Sequence, residues 1–85
     1  MLYAASFLDD VALLPVEAEE GVWTVLELVE SVPGCGSALL APSLVRRFGL
    51  NCLKVAAAGF DILYRRVDER DEIQVLGIVH QKAVR

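Results

Sequence analysis

The one histidine of this chain stands at the end of an apolar run, in "EIQVLGIVHQKAVR". An imidazole has an unperturbed pKa of about 6.5, so His80 can give or take a proton near neutral pH. A strand has no structural need of such a group at its exit. Five of the eight cations in the same half of the chain are two arginine pairs, Arg46-Arg47 and Arg65-Arg66, with Lys54 between them. The plain reading of such pairs is solvated charge or salt bridges between layers. The thiols of Cys35 and Cys52 have neither CxxC nor metal-ligand spacing. They read as reduced thiols, with no metal and no other cofactor expected.

Charge is divided unevenly along the chain. Residues 1–45 hold seven acidic residues and no Lys or Arg, whereas residues 46–85 hold eight basic and five acidic ones. One acidic face and one mildly basic face follow. Acids dilute the basic half too far for a nucleic-acid footprint made by charge alone. The 85 residues make one domain, and 55% of them are hydrophobic, with a mean hydropathy of +0.49. No apolar stretch reaches the roughly 18 residues of a membrane span. No basic segment precedes the first apolar residues, so no secretory signal is expected and a cytoplasmic location is. Apolar surface in excess on so small a domain points to a partner that covers it.

The elements that must position these groups read in order. "MLYAAS" suits a short strand. "SFLDDVALL" offers Ser6 as an N-cap, with Asp9 three residues on and Phe7, Val11 and Leu14 on one face. Val22, Val25, Leu26, Val29 and Val32 recur at helical spacing, opposite Glu20, Thr24 and Glu27, and Pro33-Gly34 closes that helix. Gly21 favours a helix start near Val22. "PGCGSALLAPSLVRRFG" reads as a long connection pinned by Leu39, Leu40, Leu44 and Val45. Strands are expected at about 50–57, 60–67 and 73–81, the first two joined at Gly59 and the last two by the solvated "DERDE". Trp23 and Tyr64 read as core. The expected fold is α+β, in the order β-α-α-β-β-β. Two N-terminal helices pack on one face of a small, mainly antiparallel sheet.

This order, with "FLDDVALL", "VLELVESVPGCGS", "KVAAAGFDILYRR" and "VLGIVHQK", resembles the RelE/ParE superfamily of toxins from bacterial type II toxin–antitoxin modules. The resemblance spans nearly the whole chain. It implies a cognate antitoxin as partner. It also implies a functional sheet face that cleaves messenger RNA in the ribosome (RelE-like members) or acts on DNA gyrase (ParE-like members). Lys54 falls where RelE-like members place a basic residue, and Cys52 where many place a second. His80 falls on the basic or His position ending the last strand. Two positions depart from the pattern: Asp61 and Gln81 stand where arginines are usual. An acid at 61 would repel the phosphate that the arginine there holds.

RNA cleavage of this kind needs the 2′-OH deprotonated and the leaving 5′-oxygen protonated. Lys54 and His80 are the catalytic candidates if the chain is a ribonuclease. Arg46, Arg47, Arg65, Gln81, Lys82 and Arg85 are the binding candidates, and Arg65 shares strand parity with Asp61, so the two are expected to face the same way and to pair. The missing cations favour the ParE-like reading, with gyrase as target. The alternatives are a RelE-like ribonuclease and an inactive relic that binds only an antitoxin or a second copy of itself. An antitoxin is expected to bind through a largely apolar interface, with acidic segments meeting Arg46, Arg47, Lys54 and Arg65.

Overall fold

A computed structural model describes residues 1–83. In chain order the elements are β1 (Leu2–Tyr3), α1 (Ala5–Val11), α2 (Val16–Ser31), α3 (Pro42–Phe48), β2 (Leu53–Ala57), β3 (Phe60–Val67) and β4 (Glu72–His80). Short 3₁₀ turns occupy Asp68–Arg70 and Gln81–Ala83. The four strands form one sheet in the order β1-β4-β3-β2. β1 runs parallel to β4, and the other neighbours are antiparallel. The fold is therefore α+β with a mainly antiparallel sheet, as expected.

Local chemistry explains most boundaries. Ser6 does not cap α1. Ala4 takes that place without a side-chain bond, because its N–H is already paired to Val75 O at 2.9 Å and β1 turns directly into the helix. Pro15 opens α2, which runs through Gly21 to Ser31 rather than starting at Val22. Glu17 and Glu19 in its first turn suit the positive end of the helix dipole. The stretch expected as a plain connection contains α3. Pro42 begins it and Gly49, at φ 94°, ends it, the proline-first, glycine-last signature of a short helix. Leu44 is buried there, whereas Leu39 is 83% exposed and pins nothing. Ala58 and Gly59 turn β2 into β3 with φ of 53° and 85°, the positive values that a two-residue hairpin turn requires.

The main core lies between α1, α2 and one sheet face. Phe7, Val11, Val22, Leu26 and Val29 from the helices meet Ala57, Ile62, Tyr64, Val75 and Ile78 from the strands. Trp23 packs at its margin, edge-on to Phe7 at 6.0 Å and to Tyr3 at 5.5 Å between ring centroids. α3 lies toward the other face, where Phe48 crosses β4 at Gly77. A Cβ on that glycine would stand 2.7 Å from the Phe48 ring. Among the described residues, no helix is long and apolar enough to cross a membrane.

Strand β4 carries an irregularity that decides the functional geometry. Leu63 pairs with Gly77 but Tyr64 pairs with Val75, so Leu76 is an extra residue, a β-bulge. One extra residue reverses the facing of everything beyond it. Before the bulge Ile73 and Val75 face the helices, and after it Ile78 and His80 do.

Candidate functional site

The face away from α1 and α2 is built from alternate strand residues. Lys54 and Ala56 on β2 share it with Asp61, Leu63 and Arg65 on β3 and with Gly77 and Val79 on β4, as the pairs Lys54↔Leu63, Ala56↔Asp61, Asp61↔Val79 and Leu63↔Gly77 require. His80 pairs with Phe60, whose ring it meets edge-on at 5.1 Å, and that pair belongs to the helix side. The fold thus places the two catalytic candidates, Lys54 and His80, on opposite faces. Strict alternation from Val75 would have put His80 beside Lys54, and the bulge at Leu76 removes it.

His80 is exposed, and its Nδ1 accepts the Lys82 backbone N–H at 3.1 Å. That contact fits a neutral ring with its proton on Nε2. Gln81 turns back across the strand end. Its own N–H donates to Gly59 O at 3.0 Å, and its side-chain amide donates to Asp61 Oδ1 at 3.2 Å. Asp61 is only 6% exposed, and this neutral amide is its one side-chain partner among the described residues.

The expected pairing of Asp61 with Arg65 does not form. Both face the same way, but four residues along a strand separate them by about 13 Å, at roughly 3.3 Å per residue. Arg65 instead donates through Nη2 to Phe48 O at 3.3 Å, where it caps the carbonyl end of α3. The Cys52 thiol donates to the same oxygen at 3.1 Å. Cys52 is therefore buried structure, standing where the resemblance has a second cation; Cys35 is exposed, and both are free thiols. Arg46 and Arg47 are exposed on α3, with Arg47 lying over the Phe48 ring at 4.9 Å. Lys82 is exposed next to His80. Arg85 lies outside the described residues. The binding candidates are thus dispersed over α3, the sheet face and the end of β4 rather than gathered in one cluster.

Tyr64 proves to be core with a polar task. Its hydroxyl donates to Pro33 O at 2.8 Å and accepts the Gly36 N–H at 2.9 Å. Burial is the main reason that its phenol pKa is raised, and the Gly36 N–H opposes the rise. A Cβ on Gly36 would stand 2.6 Å from that hydroxyl, so the loop approaches as only glycine allows. Next to it Ser37 and Lys54 exchange backbone bonds of 2.8 and 2.9 Å. The loop after α2 is thereby tied to β2, which fixes the strand that carries Lys54. Among the described residues, no group of three His, Cys, Asp or Glu could hold a metal.

No protein-family model and no curated protein matches this sequence. Solved structures do. The isolated E. coli RelE toxin matches with a TM-score of 0.71 and 17% identity, over 93% of this chain and 80% of that one. A chain of the intact E. coli RelBE toxin–antitoxin complex matches with a TM-score of 0.71 and 19% identity, over 92% of this chain and 90% of that one. At such identities the likeness is one of fold, in the order and packing of the elements. This chain has the fold of the RelE toxin.

Proposed function

We propose that the chain is the toxin half of a toxin–antitoxin pair, acting in the RelE manner on translated messenger RNA and held inactive by an antitoxin. The observation that carries this is the match to RelE over 93% of the chain. It favours RelE-like action over the gyrase-directed, ParE-like reading that the missing cations suggested. In this reading Lys54 holds phosphate, and His80 exchanges the proton between the 2′-OH and the leaving 5′-oxygen. Gln81 spans the end of β4, so RNA lying across that end would meet both faces.

A second reading, antitoxin binding without cleavage, is favoured by the placement of Lys54 and His80 on opposite faces and by the buried Asp61 between Ala56 and Val79. Expression with and without the adjacent gene's product, followed by primer extension on translating ribosomes, separates the two. Growth arrest relieved by co-expression, with discrete cuts that vanish in Lys54→Ala, is expected of the first. A complex that forms with neither arrest nor cuts establishes the second. Arrest without cuts returns the gyrase reading.

A further inference from the structure

The least satisfied cation in the molecule is Arg65. Of the five N–H donors that a guanidinium offers, Nη2 uses one, on Phe48 O at 3.3 Å. The Nε atom is buried and has no hydrogen-bond partner among the described residues. A guanidinium that serves structure alone normally collects a carboxylate or several carbonyls, because an unsatisfied charged donor is costly to bury. No such set surrounds Arg65. Glu72, on the neighbouring strand, has Arg70 Nη1 at 4.0 Å, and Asp68 has Arg66 Nε at 3.9 Å. The bond to Phe48 O is also shared. The Cys52 thiol donates to the same oxygen at 3.1 Å, so that carbonyl keeps a donor if Arg65 leaves. Gly49 stands beside the guanidinium without a side chain to block its exit, and even a Cβ there would lie 3.8 Å from Nη2.

We infer that Arg65 is a second phosphate-binding residue, which turns from the Phe48 carbonyl onto the RNA backbone beside Lys54. This rests on the RNA-directed part of the proposed function. The register brings the two cations together. Lys54 lies opposite Leu63, and Arg65 is two residues further along β3 on the same face. Such diagonal neighbours stand about 7–8 Å apart, a span that one phosphate group can bridge between two long basic side chains. Both cations keep partial contact with water, whereas Leu63 between them is fully buried. Asp61 is the diagonal neighbour of Lys54 on the other side, through the pair Ala56↔Asp61. Its carboxylate repels an anion, so a phosphate held by Lys54 is driven toward the Arg65 end of the face. A planar guanidinium can meet two phosphate oxygens at once, with the unpartnered Nε as one of the two donors. Arg46 and Arg47, exposed in the last turn of α3, add positive charge at the same end.

The test follows the Arg65 Nε–Hε signal of the full chain by heteronuclear NMR as a short single-stranded RNA is added, and measures RNA affinity over a range of salt concentrations. RNA should move that signal. Arg65→Gln keeps a donor for Phe48 O but no charge. It should bind RNA about 10-fold more weakly, the effect of one charge-assisted hydrogen bond. Its slope of log affinity against log salt should fall by about 0.7, the share of one single-strand phosphate contact. Arg65→Lys keeps the charge without the planar fork, and should keep the slope while losing part of the affinity. Both variants should melt near the parent, since Cys52 still donates to Phe48 O. A parent signal that RNA leaves unmoved overturns the inference, whether or not the variants fold. So does an Arg65→Gln affinity within twofold of the parent, or a loss in both variants that follows their melting temperatures, the mark of a helix cap and nothing more. A glutamate-rich peptide that moves the signal where RNA does not overturns it in favour of a protein partner. Primer extension on translating ribosomes separates this failure from failure of the RNA reading. Cuts by a parent chain whose Arg65 signal ignores RNA leave that reading standing and remove the inference; neither cuts nor RNA binding removes both.

Discussion

On the helix side of the sheet, Phe7, Val22, Ile62, Tyr64 and Val75 are completely buried, and α1 and α2 cover the middle of the strands. On the other side α3 covers the middle through Leu44 and Phe48, while Lys54, Arg65 and Val79 keep partial contact with water. The two faces share the same three long strands, so backbone pairing does not distinguish them. What differs is whether side chains meet a partner within this chain. The helix side is where folding free energy is concentrated. The other side holds the groups whose chemistry is unfinished, and a substitution's effect should depend on which side it falls.

The largest expected effect tests the helix side directly. Phe7→Ala removes a fully buried ring stacked with Tyr3 and set edge-on to Trp23. It should cost about 3–5 kcal/mol, from lost burial and the cavity left behind. A domain of this size has about 5–10 kcal/mol in all, so the variant should be close to unfolded. Urea titration followed by far-ultraviolet circular dichroism measures it. Leu50→Ala is the control, since Leu50 is 81% exposed and its loss should stay within about 0.5 kcal/mol. Equal losses in the two variants would erase the distinction between the sides.

How far the sequence carried depends on the same distinction. The three long strands, the α2 stripe and the Gly59 turn were legible because burial on one face imposes a period that residues must obey. β3 falls where expected, at Phe60–Val67. α3 was missed because one apolar residue of its seven is deeply buried, although Pro42 and Gly49 marked both ends. The bulge at Leu76 was illegible. Val75, Leu76, Ile78 and Val79 are all apolar, so no change of polarity records the slip, and the side on which His80 emerges is set by pairing alone. The partner of Asp61 escaped for another reason. Gln81 reaches it through a turn after β4, which strand parity does not describe.

The next effect in size joins the two regions, because Tyr64 anchors in the helix-side core the loop that holds β2. Tyr64→Phe keeps the ring but strands the Pro33 carbonyl and the Gly36 N–H, at a cost of about 1–3 kcal/mol. The pH dependence has a definite sign. Burial favours the neutral phenol, so its folded pKa lies above the unfolded value of 10.0. This contribution to stability is complete below pH 10 and is lost as pH rises through the folded pKa. Melting temperatures from pH 8 to 11 should fall more steeply at the alkaline end in the parent than in Tyr64→Phe. Identical slopes would mean that the phenol is not held as described.

A smaller effect, of opposite sign, tests whether α2 is set by packing or by propensity. Gly21 lies inside the helix, and a Cβ there would meet the Ala58 Cβ at 3.5 Å, an ordinary contact. Gly21→Ala should therefore stabilise the fold by about 0.5–1 kcal/mol, the usual difference between the two residues in a helix interior. Chemical denaturation with an unchanged urea slope is the measurement. A loss would mean that α2 and the Ala58–Gly59 turn cannot separate by the small amount a methyl group needs.

The smallest effect on stability is expected at the residue with the greatest weight in the proposed function. Lys54 enters the fold through its backbone, by the two bonds to Ser37, and Lys54→Ala preserves both. Its side chain has no ion pair within 4.0 Å among the described residues and stands partly in water. The alanine variant should keep the parent's stability to within about 0.5 kcal/mol. If cleavage of messenger RNA is the activity, the same variant should lose it, because the phosphate loses the cation that β2 carries on that side of the sheet. Measuring both quantities on one preparation sets the two faces against each other. A Lys54→Ala protein that cleaves normally removes Lys54 from the chemistry. One that is unstable means that the face opposite the helices contributes to folding after all, and that the division between a structural side and a functional side is wrong.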